Sequence, residues 1–253
     1  MGIFDHKNLE KYSRQLIIEQ IGLKGQKKIF NTSICVVGCG GLGTSVSQYL
    51  AMAGIGKFHF IDSDKIELSN LNRQVMFIES DIGKNKAEVL KTYIQKINPQ
   101  ARIIVSKKNV SKKNIKNLLK GFKFIIDCSD NFKTRFLVNE FCFKAKKILI
   151  SAALQNFDVQ ISAFKAWSGK NNPCYECVFP KSNNLNNVNC DQMGIVSPVA
   201  GFGGVMQSLL IIDIILDCDT NIFKELLIFD CLKRNFRKIK ITKDNGCKIC
   251  NKT

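Results

Sequence analysis

Between Ser33 and Thr44 the chain reads Ser-Ile-Cys-Val-Val-Gly-Cys-Gly-Gly-Leu-Gly-Thr, a β-rich apolar run that breaks into glycines and continues as a helical pattern to Gly54. This predicts a strand, a tight turn and a helix N-terminus. Gly38, Gly40 and Gly43 hold the G-x-G-x-x-G spacing, in which small residues permit the turn, let backbone amides approach a phosphate and allow close helix packing. The amides and the helix dipole then favour an anion. A second apolar run, Lys57–Ile61, ends at Asp62, nineteen residues beyond Gly43, where such a βαβ unit presents a carboxylate to a ribose hydroxyl. The stretch predicts a nucleotide, and NAD, FAD and ATP all remain open because each carries a ribose and phosphates.

The remaining chain alternates between the two periodicities. Residues 8–20 carry Leu9, Tyr12, Leu16 and Ile17 at helical spacing, with Arg14 on the polar side, and a short basic helix leads to Asn31. After the polar loop 62–74, helices are expected at 84–97, 111–119 and 132–145, and strands at 101–106, 122–127 and 148–152. The 111–119 helix is lysine-rich and reads as a solvated face. From Asn156 the grammar changes: Val159, Ile161 and Ala163 alternate with polar neighbours, as in an antiparallel strand. A polar, asparagine-rich segment over 180–196 follows and is expected to be mobile. Ser197-Pro198 then opens an apolar helix to Leu216, and two strands near 226–229 and 236–241 close the chain. The fold class expected is α/β: a doubly wound, Rossmann-like, mostly parallel sheet with an antiparallel C-terminal extension. One domain is expected over 1–253, with N-terminal helices (1–31), a nucleotide-binding core (32–155) and a C-terminal part (156–253).

Composition narrows the partners. The net charge of +17 suggests nucleic acid, yet the excess is nearly all lysine spread along the chain, without a basic stripe interleaved with aromatics. An acidic protein partner is the better use of that field. The run 208–216 is interrupted by Asp213 and is too short to span a bilayer, so a buried helix is expected and no membrane. The N-terminus has no apolar signal region, which predicts a cytoplasmic protein.

Eleven cysteines without an export signal argue against a disulfide framework. Cys174-Tyr-Glu-Cys177 and Cys247-Lys-Ile-Cys250 are two C-x-x-C knuckles, the pattern by which four thiolates hold a structural Zn²⁺. A redox reading of either pair lacks the strand-to-helix setting. Cys190 stands alone in the polar segment, while Cys35, Cys39, Cys128, Cys142, Cys218 and Cys231 read as small core residues.

Taken together, Gly38 to Gly43, Asp62-Ser-Asp64, Ser69-Asn-Leu-Asn-Arg-Gln74, Lys86, Asp127-Cys-Ser-Asp-Asn131 and the two knuckles resemble the bacterial ubiquitin-activating-like adenylyltransferases of the MoeB and ThiF type. The resemblance extends from Tyr12-Ser-Arg-Gln15 to Cys250. It implies ATP and Mg²⁺ as cosubstrate and cofactor, and a ubiquitin-like sulfur carrier protein ending in Gly-Gly as partner, of the molybdopterin or thiamine pathway. It also implies a homodimer in which Arg14 reaches the nucleotide of the other subunit. Arg73 and Lys86 match the phosphate-binding cations, Asp130 the magnesium-associated aspartate, Asp62 the ribose ligand and Gly41 the phosphate approach. Asp64, Asn70, Gln74 and Asn131 complete the expected pocket, and Cys190 matches the loop cysteine that some members link covalently to the carrier. Asn85 stands where the family often has proline. No rhodanese-like extension follows Cys250, so a separate sulfur donor is expected. An NAD-dependent oxidoreductase is the alternative; it would use the glycine turn and Asp62 but leave Arg73, Lys86, Asp130 and the knuckles without a role.

Overall fold

In the computed structural model, residues 5–181, 194–219 and 221–251 are described. Five parallel strands, β1 (Ser33–Val37), β2 (Lys57–Ile61), β3 (Arg102–Ser106), β4 (Phe124–Asp127) and β5 (Ile148–Gln155), form one half of a sheet. Three antiparallel strands, β6 (Asp158–Phe164), β7 (Glu225–Asp230) and β8 (Asn235–Lys240), extend it in the order β3-β2-β1-β4-β5-β6-β7-β8. Strands β1, β2, β4 and most of β5 are buried on both faces, which is why they read as continuous apolar runs, whereas β3 lies at the sheet edge and stays partly exposed. Ile34, Val36, Phe60 and Ile126 point to one layer, and Cys35, Val37, Ile61 and Ile125 to the other.

The helices α1 (His6–Lys11), α2 (Ser13–Leu16) and α3 (Gly22–Asn31) precede β1. The single helix expected over 8–20 is thus broken. Tyr12 turns inward at φ −100° and ψ 9°, and its ring packs so close to Gly54 that a Cβ there would lie 3.0 Å from it. That inward turn resets the chain direction and leaves Ile17 78% exposed, with Leu9, Ile18 and Leu23 also on the surface.

One layer is made by α4 (Gly41–Ala53), α5 (Lys86–Ile97) and α9 (Ser197–Leu216). The other is made by α6 (Ile115–Leu119), α7 (Phe132–Lys144) and α8 (Tyr175–Val178). Helix α6 is shorter than expected because Asn114 accepts from the Ser111 amide at 2.8 Å and forms a turn first. Nor is it a solvated face: Ile115, Leu118 and Leu119 are buried.

Helix α9 spans 20 residues at mean hydropathy 2.0, so by length and composition it could cross a membrane, contrary to the expectation that it is too short. It is a core helix here. Ala200, Gln207, Ile211 and Ile215 are buried, and a Cβ on Gly204 would meet the Ser45 side chain at 2.4 Å, so glycine lets α9 lie directly on α4. Cys35, Cys39, Cys128 and Cys142 are buried as expected, but Cys218 is exposed because the chain leaves α9 at Asp217 in a left-handed turn.

Candidate functional site

The carboxyl ends of β1, β2 and β4 open into a cleft of about 670 Å³, where an open α/β sheet is expected to keep its ligand. Its floor is the glycine turn. Gly38 has φ +91°, and a Cβ there would lie 2.7 Å from the Cys128 carbonyl; at Gly43 it would lie 2.1 Å from the Gly38 carbonyl. Gly43 therefore does not line the cleft but lets α4 start tight against the turn. Gly38, Gly40 and Gly41 do line it, and the amides at the start of the 13-residue α4 give it the polarity of an anion site.

Asp62 lies at the end of β2 across from this turn. Its Oδ2 accepts from the Cys39 amide at 2.7 Å and its Oδ1 from the Asp64 amide at 2.8 Å. Burial pushes its carboxyl pKa up, opposed by those two N–H groups and by the Lys86 charge. The carboxylate is thus fixed in orientation at the expected ribose position. Lys86 is itself buried at the cleft wall, its Nζ 3.3 Å from Asp64 Oδ2. Asn85, at the position where proline is frequent in the resembling family, supplies what proline cannot. Its Oδ1 caps α5 by accepting from the Glu88 amide, and its Nδ2 donates to the carbonyls of Asp62 and Asp64 at 3.0 and 3.1 Å. One side chain thus ties the loop after β2 to the helix that carries Lys86.

The loop that follows contributes a cation and two amides. Asn70 is buried and accepts from the Glu67 amide, closing a one-turn cap. Arg73 donates to the Ser69 carbonyl at 2.9 Å and to Asn72 at 3.1 Å, which holds its guanidinium along the cleft wall. Gln74 is 3% exposed, lines the cleft beside Gly40, and among the described residues its Oε1 has no hydrogen-bond partner. A buried amide left open toward a glycine cradle is a feature that a polar ligand would satisfy. Across the cleft, Asp130 is exposed and Asn131 caps α7 by accepting from the Thr134 amide at 2.9 Å. An exposed carboxylate facing a glycine anion site offers the oxygen donor that Mg²⁺ prefers.

Two expected members are not brought to this cleft. Arg14 is exposed on α2 and is not among the residues that line it, so within one chain it does not reach the glycine turn. Cys190 lies outside the described residues. Conversely, Lys65, Lys108 and Arg135 line the cleft without having been singled out in the sequence. Arg135 had a readable signal: it shares the buried face of α7 with Val138, Asn139 and Cys142, at i+3, i+4 and i+7, where a lone charge needs a partner.

The knuckles converge as expected. Cys174, Cys177, Cys247 and Cys250 place their sulfurs within 4.8 Å of one another, with separations of 3.8, 3.6 and 3.3 Å for the contacting pairs. Four thiolates at about 2.3 Å around a tetrahedral ion are about 3.8 Å apart, so the donor set fits Zn²⁺. Asn139 supports it from α7, donating to Cys174 Sγ at 3.6 Å while accepting from the Tyr175 amide at 3.0 Å. The hydrogen bond from Cys174 pushes the Cys177 thiol down to about 5, while the same contact pushes Cys174 up and burial pushes Cys250 up to about 12, so a bound metal would have to displace the protons of the others.

The model of the ThiF family matches residues 12–249. The chain belongs to the ThiF family. A sulfur carrier protein adenylyltransferase from Thermus thermophilus is 33% identical over 247 residues, covering 96% of this chain and 91% of that protein. An adenylyltransferase and sulfurtransferase MOCS3 from Xenopus laevis is 37% identical over 243 residues, but this chain spans only 53% of its length. Among solved structures, Escherichia coli MccB with ATP superposes with a TM-score of 0.81 at 26% identity, over 95% of this chain and 73% of that one. The ThiF-family fold thus accounts for the sheet order and for the position of the cleft, as the MoeB/ThiF-type resemblance of the motifs implied.

Proposed function

We propose that this ThiF-family protein adenylylates the C-terminal glycine of a ubiquitin-like sulfur carrier protein of the MoaD or ThiS type, using ATP and releasing pyrophosphate, in molybdopterin or thiamine biosynthesis. The observation that carries the reading is the gathering of Arg73, Lys86 and Asp130 around the glycine turn, opposite the fixed Asp62, in a single cleft. A relative named for this activity, similar over nearly its whole length, supports it.

The chemistry follows from charge. A carrier carboxylate attacks the α-phosphorus, forming an acyl-phosphate bond while the bond to pyrophosphate breaks. Two anions must be brought together, so the site has to position them and neutralise them. The Gly38 to Gly41 amides hold the phosphates, Asp62 takes the ribose hydroxyls, and Asn70 and Gln74 fix the loop around them. Lys86, now against Asp64, turns its ammonium to the phosphates, and Arg73 stabilises the departing pyrophosphate. Mg²⁺, when bound beside Asp130, spreads the charge of the phosphate oxygens. Asn131 holds the end of α7 behind it.

Arg14 completes the site from a second copy of the chain. The exposed Leu9, Ile17, Ile18 and Leu23 around it are the apolar surface that a symmetric homodimer would cover. The four-cysteine clip would hold Zn²⁺ structurally and fasten the C-terminal segment; Cys190 would link covalently to the carrier by attacking the acyl adenylate, with AMP as the leaving group, and the whole operates in the cytoplasm. An NAD-dependent hydride transfer gives no work to Arg73, Lys86 and Asp130.

The test is carrier-dependent exchange between pyrophosphate and ATP, run with a MoaD-type and a ThiS-type carrier. Arg73→Ala and Asp130→Ala are each expected to slow it about 100-fold or more by removing charge stabilisation at the phosphates. Undiminished exchange in both variants would overturn the assignment.

A further inference from the structure

Beneath the cleft lies a buried charge pair that the proposed reaction does not use directly. Asp127, at the end of β4, is 0% exposed, and Arg135, on the first turns of α7, is 4% exposed. Their closest approach is 3.9 Å, bridged by Ser151 of β5, which donates to Asp127 Oδ2 at 3.0 Å and accepts from Arg135 at 3.4 Å. The pair closes on one residue. Asp127 Oδ1 accepts from the Ser129 amide at 3.1 Å and from the Ser129 hydroxyl at 2.6 Å, while Arg135 donates to the Ser129 carbonyl at 2.5 Å. Every polar group of Ser129 is therefore held by one or the other partner. On the far side Asn131 is held as the cap of α7, so Asp130 is pinned between two fixed neighbours while its own carboxylate stays exposed in the cleft.

A buried ion pair gives little net stability, because desolvation offsets most of its attraction. Its value lies in geometry: an apolar pair could fill the same space but could not grip Ser129 from both sides. Helix α7 and strands β4 and β5 supply the three parts, so the clamp depends on the assembled sheet.

We propose that Asp127, Arg135 and Ser151 form a positioning clamp that, through Ser129, sets the Asp130 carboxylate for the metal–nucleotide complex. The proposal rests on the adenylylation reading for its purpose, and its test is chosen to stand apart from turnover.

The probe is ATP with and without Mg²⁺, its affinity measured by calorimetric titration of the full chain. Arg135→Lys keeps the charge beside Asp127 but cannot reach Ser129 and Ser151 together, so the protein is expected to fold with only a modest loss of melting temperature. In the wild type Mg²⁺ should tighten ATP binding; in Asp130→Ala that gain should vanish, and in Arg135→Lys it should shrink about tenfold, while metal-free ATP binding changes less than about twofold. Combining Arg135→Lys with Asp130→Ala should add nothing further to the Mg²⁺ effect, because one acts through the other. Equal losses from Arg135→Lys in both backgrounds, or an unchanged Mg²⁺ effect in folded Arg135→Lys, would overturn the clamp. If Arg135→Lys fails to fold, Ser151→Ala, which removes only the bridging hydroxyl, is read by the same criteria. Absent carrier-dependent exchange in the wild type would instead count against the adenylylation reading and leave this binding test intact.

Discussion

Removing the metal from the four-cysteine clip should detach the C-terminal segment while leaving the nucleotide cleft in place. Beyond β8 the hydrogen bonds of Gly246, Cys247 and Asn251 stay within the segment, and the sulfur contacts Cys174 to Cys247 and Cys177 to Cys250 join it to α8. The apolar seat is small: Cys174, Cys247, Cys250 and Ala166 are buried, with Phe143 and Ile249 packed against them. Releasing the segment exposes four small side chains, Ala166, Cys174, Cys247 and Cys250, at about 0.8 kcal/mol for each methylene-sized group, or about 3 kcal/mol. At about 2–4 °C per kcal/mol for a chain of this size, the melting temperature should fall by roughly 6–12 °C. Zinc bound by such thiolate sets contributes about 10–16 kcal/mol in isolated peptides, more than this seat, so with zinc bound the ion rather than the apolar contact would hold the segment. The assay combines metal analysis, thiol titration and thermal melts with and without chelator, on the wild type and on Cys247→Ser. One zinc per chain, four thiols protected until chelation, and ATP affinity preserved after chelation are expected. Zinc-free protein with all four thiols titrating and an unchanged melting temperature would refute the reasoning.

Subunit sharing is tested by mixing Arg14→Ala chains with Asp130→Ala chains: in a mixed dimer one site carries both defects and the other neither, so exchange activity should recover to about a quarter of wild type for statistical mixing with two equal sites. Mixed dimers that form but stay inactive would mean that Arg14 does not act across the interface. A pH dependence of stability follows from His59, buried between Ser106 at 2.8 Å and the Leu118 carbonyl at 3.1 Å, where burial first of all lowers its pKa from 6.5. The unfolded chain therefore takes up the proton first on acidification, and stability is lost as pH falls from about 6.5 toward the lower folded value, by at most about 1.4 kcal/mol per pH unit. Denaturant melts between pH 7.5 and 5.5 should show His59→Gln with lower stability but a shallower slope; parallel slopes would remove His59 as the cause.

The residues that were legible in the sequence are those whose environment is set locally or on both sides at once. Strands β1 and β2 and helix α9 fall at their expected bounds because an apolar run ended by glycine, aspartate or Ser-Pro leaves few alternatives. Most of the cleft residues between Gly38 and Asn131, though not Lys65 and Lys108, were legible for a related reason: loops at strand carboxyl ends are polar where the strands are not. The N-terminal helix misled because Tyr12 satisfies helical spacing equally well as a continuing residue or as an inward turn, and only Gly54, forty-two positions away, decides it. The buried-face spacing of Arg135 marked a charge in need of a partner but not which partner, and Ser151 carried no signal at all, because β4 must pair with β5 before either faces Asp127.

The charges of the cleft bear on why the proposed reaction would draw on a second chain. Asp62, Asp64, Glu67 and Asp130 line it together with Lys65, Arg73, Lys86 and Lys108, so acids and cations are matched four to four, and the remaining cation, Arg135, is committed to buried Asp127. A triphosphate and a carrier carboxylate add several negative charges to a lining that has no surplus to neutralise them. Long-range attraction from a net charge of +17 brings such ligands to the surface, but it acts through solvent and is screened over about 8–10 Å. Beyond the α4 amides and a Lys86 released from Asp64, close neutralisation would come from groups that arrive with the ligands or with a second chain. In the proposed site, Mg²⁺ beside Asp130 and Arg14 from a second copy of the chain would be two such sources. On that reading the clamp under Asp130 and the exposed apolar residues that flank Arg14 in the sequence would serve one requirement: cations that are not permanent parts of the cleft must be delivered to it in a fixed geometry.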